Sequence, residues 1–173
     1  MLEMIMEKNE LKQKVAQILE QDPTLLPVSV AEQLEVSEHD VVRSLPEGMA
    51  TMIAGEFAQE LLEGLVGWGP VTTIVHSMGS IFEVKAPFPK GKVARGYYNL
   101  MGDKGEMHGH LKLDLVKSVA LVSKPFRGKE SHYFGFFTDQ GDSIFKIYLG
   151  RDESRKLLPD QVEKFNALKK QYV

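Results

Sequence analysis

The hydrophobic pattern of this chain changes period once, at Trp68–Gly69, and that change constrains the fold more than any single motif. Before it, apolar residues recur at helical spacing. Leu11, Val15, Ile18 and Leu19 make one face of a helix over Asn9–Gln21, with Asn9 as its expected N-cap. Ser29–Pro46 reads as two short helices capped by Ser29 and Ser37 and joined near Val36, and 55–67 places Phe57, Leu61, Leu62 and Leu65 on one stripe. After Trp68 the residues alternate, β-branched and aromatic side chains dominate, and Gly, Pro and Asp punctuate. Strands are expected at Val71–Ser77, Ile81–Lys85, Val93–Met101, Met107–Leu113, Ser118–Ser123, His132–Thr138 and Ser143–Leu149. Their links are too short for helical crossovers, so the sheet should be mostly antiparallel. Pro159 suits the first position of a last helix carrying Val162, Phe165 and Leu168. The expected fold class is α+β: a mostly antiparallel β-sheet meander flanked by N-terminal helices and a C-terminal helix. It is read as one domain over 1–173, with 1–67 mainly helical, 68–150 antiparallel sheet and 151–173 the C-terminal helix.

A compact chain of 173 residues buries roughly 70% of its unfolded surface and needs no staples. With 0 cysteines, disulfides, thiolate zinc sites, iron–sulfur clusters and thiol nucleophiles are excluded, whereas iron inside a porphyrin is not. Charged residues interrupt the first apolar stretch before it reaches the about 7 to 15 residues of a secretory core, and no run approaches the roughly 18 of a membrane span. The expected location is the cytoplasm. Residues 1–50 carry four basic against ten acidic side chains, a net −6, so the remainder carries +3. An anionic ligand should prefer the second part.

Four of the five histidines, His76, His108, His110 and His132, lie in or beside expected strands. In Met107–Asp114 one parity holds Met107, Gly109, Leu111 and Leu113, and the other His108, His110, Lys112 and Asp114. That second face is either a wet strand surface or an imidazole-bearing cationic face able to hold a metal in a flat anionic cofactor. His76 closes the apolar run VTTIVH and should be partly buried. A hairpin centred near Lys104 would put Tyr97 or Tyr98 opposite His110. Gly96 reads as a bulge or as a close approach to a flat ligand, the bulge being preferred. The aromatic set Tyr133, Phe134, Phe136, Phe137, Phe145 and Tyr148 should fill both faces of two strands. There is no GxSxG elbow, phosphate loop, HExxH or GxGxxG, and no catalytic residue is assigned. The cadence of SVAEQLEVSEHDVVRSL suggests a helix-turn-helix DNA reader, but Glu38 and Asp40 in an acidic segment would repel phosphates, and no nucleic-acid partner is expected.

The segments VTTIVH, GYYNLMG, HGHLK and FKIYLGRDESRKLLPDQVEKF, collinear between Trp68 and Phe165, resemble the cytosolic haem-utilisation carrier family of the HutX and ChuX type. The resemblance implies a homodimeric haem-binding carrier of the bacterial cytoplasm. It would receive imported haem and deliver it to a haem-degrading enzyme, and would not associate with membranes. Its dimer would resemble the longer, internally repeated haem-degrading proteins. It points to His76 and His110 as candidate ligands of haem iron, with Tyr97 or Tyr98 as the rival. Haem is a flat apolar disc with two carboxylates, and Arg95, Lys90 and Lys92 could meet those. Degradation of the bound haem by the chain itself is the main alternative. Arg151 and Asp152 are expected to tie the last strand to the C-terminal helix.

Overall fold

The computed structural model describes residues 2–172, with side chains from residue 7 onward. Helix α1 spans Leu2–Gln21, so Asn9 lies inside it instead of capping it. Helix α2, Pro27–Leu34, starts with proline at its first position, which leaves Ser29 within its first turn. Helix α3, Glu38–Arg43, is capped as expected: Ser37 Oγ accepts from the Asp40 amide at 3.0 Å. The segment expected to be helical also contains a strand, β1 at Ala50–Ala54, followed by a 3-10 turn and helix α4 at Ala58–Leu65.

The remaining strands are β2 (Pro70–Ser77), β3 (Ser80–Pro87), β4 (Gly91–Ala94), β5 (Tyr97–Met101), β6 (His108–Leu111), β7 (Ser118–Ser123), β8 (His132–Phe137) and β9 (Ser143–Leu149), with helix α5 at Pro159–Gln171. All pairings are antiparallel, and they form two sheets. Six strands run in the order β1-β7-β8-β9-β2-β3, and β4-β5-β6 form a separate sheet of three. Chain order is thus kept within β7-β8-β9 and β4-β5-β6, while the β2-β3 hairpin is added to the far edge of β9. The single strand expected at Val93–Met101 is two strands, because Arg95 (φ 56°) and Gly96 (φ 78°) turn the chain back between the paired Ala94 and Tyr97. Two consecutive positive-φ residues make the type I′ turn that suits the twist of a tight hairpin. Gly96 therefore serves a turn and not a bulge.

The central strands β7, β8 and β9 of the large sheet are covered on both faces. One face holds Phe134, Phe136, Phe145, Ile147 and Leu149 under Leu61, Leu62 and Leu65 of α4, Phe165 of α5, and Tyr98 and Leu100 of the small sheet. The other holds Ala120, Val122, Tyr133 and Phe137 under Val15, Val30, Val41 and Val42 of α1–α3. The aromatic set fills both faces as its alternation requires.

Helix α3, the would-be reading helix, is fastened against the sheet. Val41 and Val42 of α3 are fully buried, His39 stands edge-on to Phe137 at 5.5 Å, and Glu38 pairs with Lys146 of β9, both nearly enclosed. The tie between the last strand and α5 also differs from expectation. Arg151 donates to the carbonyls of Arg155 and Glu130, while Gln161 holds the helix. Among the described residues no helix is long and apolar enough to cross a membrane.

Candidate functional site

Residues directly paired across antiparallel strands project to the same side. In the small sheet Tyr98 pairs with Leu111 and Val93, and Tyr98 and Leu100 are buried toward the core. The opposite face is therefore outward and carries Lys92 and Ala94 from β4, Tyr97, Asn99 and Met101 from β5, and His108 and His110 from β6.

The register corrects the expected hairpin. His110 faces Asn99, not a tyrosine, and His108 faces Met101. The connecting loop is closed by the Glu106 amide donating to the Asp103 carbonyl at 2.9 Å and by the Asp103 amide donating to Glu106 Oε2 at 3.0 Å. This centres the hairpin just beyond Lys104 and shifts every partner. Tyr97 still reaches His110 diagonally, with ring centroids 5.9 Å apart in an edge-to-face arrangement. Lys112 Nζ lies 5.1 Å from the centre of the Tyr97 ring and donates to the Gly96 carbonyl at 3.1 Å.

The two tyrosines differ sharply. Tyr97 is 42% exposed, whereas Tyr98 is 2% exposed, its ring laid against Gly91, where an added Cβ would come within 2.1 Å of a ring carbon. The Tyr98 hydroxyl has no hydrogen-bond partner among the described residues. Burial, and secondarily Glu63, push its phenol up, so the neutral form is favoured.

His76 is exposed, against the expectation of partial burial. It pairs with Ile81 near the tip of the β2–β3 hairpin, beyond Ile74, the last residue of β2 that pairs with β9. No hydrogen bond or ring contact joins it to the outward face of the small sheet among the described residues. Arg95 is exposed at the turn next to Tyr97, and Lys90 and Lys92 are exposed on and beside β4. His132 is buried as a structural residue, held by Ser123 and Glu130 at 2.8 Å each.

The outward face thus combines the imidazoles of His108 and His110, an accessible phenol, and exposed apolar surface from Tyr97 and Met101 with the cations Lys92 and Lys112, and Arg95 stands at its edge in the turn. Imidazole nitrogen and phenolate oxygen are both axial donors for porphyrin iron, and ammonium and guanidinium groups suit propionates. Among the described residues no three His, Asp or Glu side chains converge on a site for a bare ion. Asn99 and Met101 are additions to the residues expected from sequence. Parity named Lys112 as part of the face, but Asn99 emerges only once the hairpin centre is known.

Residues 51–168 match the model of the family described as haem utilisation ChuX/HutX. The chain belongs to the ChuX/HutX haem-utilisation family. The match takes in both sheets, α4 and most of α5, and leaves α1–α3 outside. The intracellular heme transport protein HutX of Vibrio cholerae serotype O1 is 66% identical over 162 residues, 94% of this chain and 84% of that protein. The crystal structure of ChuX superposes with a TM-score of 0.84 at 34% identity, covering 91% of this chain and 97% of that one. The heme-degrading enzyme ChuS of Escherichia coli O157:H7 shares the fold at 16% identity and a TM-score of 0.73, with 93% of this ChuX/HutX chain lying on 46% of its length.

Proposed function

We propose that the protein is an intracellular haem carrier that binds haem on the outward face of β4–β6 and releases it to a haem-degrading enzyme. The observation that carries this reading is the convergence of His110, Tyr97 and Lys112 on one exposed sheet face within the family-matched region. Its 66% identical relative is an intracellular heme transport protein. An open face suits a carrier, because a cargo bound at the surface can leave without unfolding its host. Of the two tyrosines, Tyr97 is the rival donor to His110, since Tyr98 is enclosed and favours its neutral phenol. Lys92 and Arg95 are the cations available to the propionates, and Lys112, 3.6 Å from Asp114 Oδ2, would have to exchange that partner to join them. His76, on the exposed hairpin, is the donor to be tested beside them.

A homodimer is part of the same proposal. The chain spans about half of ChuS, and its β2–β3 edge hairpin exposes Val75, Met78, Ile81 and Phe82. An apolar sheet edge of this kind is the usual mark of a surface that meets another chain.

The test is the ferric haem absorbance and resonance spectrum of the purified protein and its variants. Replacing His110 by Ala or Tyr97 by Phe should change the spectrum and weaken binding, and replacing His39 by Ala should do neither. Apolar contact at roughly 25 cal/mol per Å² retains part of the affinity when a ligand is lost, so the spectrum is the sharper readout. With a physiological reductant and oxygen the haem bands should persist. Their steady loss with release of iron would replace the carrier by a haem-degrading enzyme.

A further inference from the structure

Asn99 lies directly opposite His110, and its amide is held more firmly than the ring it faces. Its Nδ2 stands 3.0 Å from the Lys92 carbonyl, 3.1 Å from that of Ala94 and 3.2 Å from that of Tyr97. Those three oxygens flank the type I′ turn between β4 and β5. Only the amide nitrogen, with two hydrogens to give, can sit among three acceptors, so the orientation of the side chain is fixed by chemistry. The oxygen must then point the other way. It lies 2.6 Å from His110 Nδ1. Two lone pairs cannot approach so closely, so Nδ1 carries the hydrogen and donates it to Asn99 Oδ1. In a neutral imidazole the other nitrogen is then the bare one. Nε2 has no hydrogen-bond partner among the described residues, and the imidazole is exposed.

We propose that Asn99 is a positioning residue that holds His110 as its Nδ1–H tautomer and so presents Nε2 as the lone-pair nitrogen for haem iron. The inference rests on the reading that haem binds this face. A hydrogen bond on the far nitrogen orients the ring and selects the metal-binding atom, and losing such a support costs about 10- to 100-fold in metal affinity. The three carbonyl bonds make the support rigid, because moving Asn99 would break the turn that positions Tyr97.

The test has two arms. In the first, the haem-free protein with nitrogen-15 histidine is examined by long-range proton–nitrogen correlation at alkaline pH, where imidazole is neutral. His110 should show a protonated Nδ1 and a bare Nε2, and Asn99→Ala should shift the ring toward the opposite tautomer. In the second arm, ferric haem binding to Asn99→Ala should be weaker by about 10-fold or more, with the spectrum moved in the same direction as in His110→Ala. Circular dichroism confirms that each variant is folded. A protonated Nε2 in the wild-type protein overturns the inference whatever haem does, and needs no variant. A His110→Ala spectrum that changes while that of Asn99→Ala stays at wild type overturns the positioning role and leaves the haem reading standing. A bare Nε2 in the wild type with no spectral change in His110→Ala overturns the haem reading at this ring, and with it the purpose of the tautomer.

Discussion

Gln161 has its side chain fully enclosed and joins three parts of the chain. Its Oε1 accepts from the Gly150 amide at 2.7 Å, and its Nε2 donates to the carbonyls of Trp68 at 3.0 Å and Pro70 at 2.9 Å. Leucine of similar volume would leave an amide and two carbonyls without partners, at about 1–3 kcal/mol for each group that water cannot reach. Gln161→Leu should therefore lose on the order of 3 kcal/mol in urea unfolding, whereas Arg151→Ala, which breaks exposed loop bonds, should lose about 1 kcal/mol or less. Tyr148 bears on pH in a similar way. Burial, then Glu38 and Glu83, push its phenol up to about 12, above the usual phenol value near 10. Its stack partner Tyr133, 4.8 Å away and more deeply buried, is raised well above that value mainly by burial. A group whose folded pKa is raised stabilises fully below its unfolded pKa and loses that contribution as pH climbs through the folded one. The fold should hold to about pH 10 and weaken toward 12, and Tyr148→Phe should remove on the order of 2 kcal/mol of that alkaline loss in pH-dependent urea titrations.

Between elements, the tie of most consequence is the ion pair of Glu38 in α3 with Lys146 in β9, with side chains 9% and 7% exposed. It fastens the helical cap to the centre of the sheet, beside the ring of Tyr133. Removing one partner strands a buried charge, at about 3–5 kcal/mol, while replacing both by apolar residues of similar size is often neutral. Lys146→Met should be severely destabilised, and Glu38→Leu with Lys146→Met should recover most of the loss in a thermal-melt cycle. At this scale β7 and β9 are readable in the sequence to the residue, because each is a β-branched or aromatic run bounded by polar or turn residues. The short β1 is not. Its five residues are held by β7, about seventy positions later, and carry no local pattern of their own. The split of β4 from β5 is hidden for another reason, since arginine seldom adopts the positive φ that Arg95 takes in the turn.

Across the whole molecule, the acidic helical cap covers one face of the large sheet, while the small sheet turns its cationic face outward from the other. Charge is thereby sorted in space as it is along the chain, and an anionic cargo meets the second part. The proposed homodimer should appear in light scattering at micromolar concentration as twice the 19.4 kDa chain mass. Phe82, 61% exposed on the edge strand β3, is the residue to probe, and Phe82→Glu should shift the mass toward one chain while leaving the melting temperature nearly unchanged. A wild-type mass of one chain would contradict the dimer.

Local pattern by itself determined the α+β class, the antiparallel pairing, both aromatic faces of β8 and β9, and the family, because hydrophobic period and collinear motifs are properties of neighbouring residues. The set of residue types at the site was also legible: imidazole, phenol and cation within Ala94–Lys112. Tertiary structure alone decided which of them meet. One added residue in the hairpin loop replaced a tyrosine by Asn99 opposite His110, since register reverses with every single step along a strand. Packing against Gly91 enclosed Tyr98 and left Tyr97 outside, and the extension of the β2–β3 hairpin past its last pairing with β9 turned His76 from an expected partly buried residue into an exposed one. Each of these outcomes depends on a loop geometry, a packing contact or the extent of a pairing, and the period of the hydrophobic pattern does not encode those.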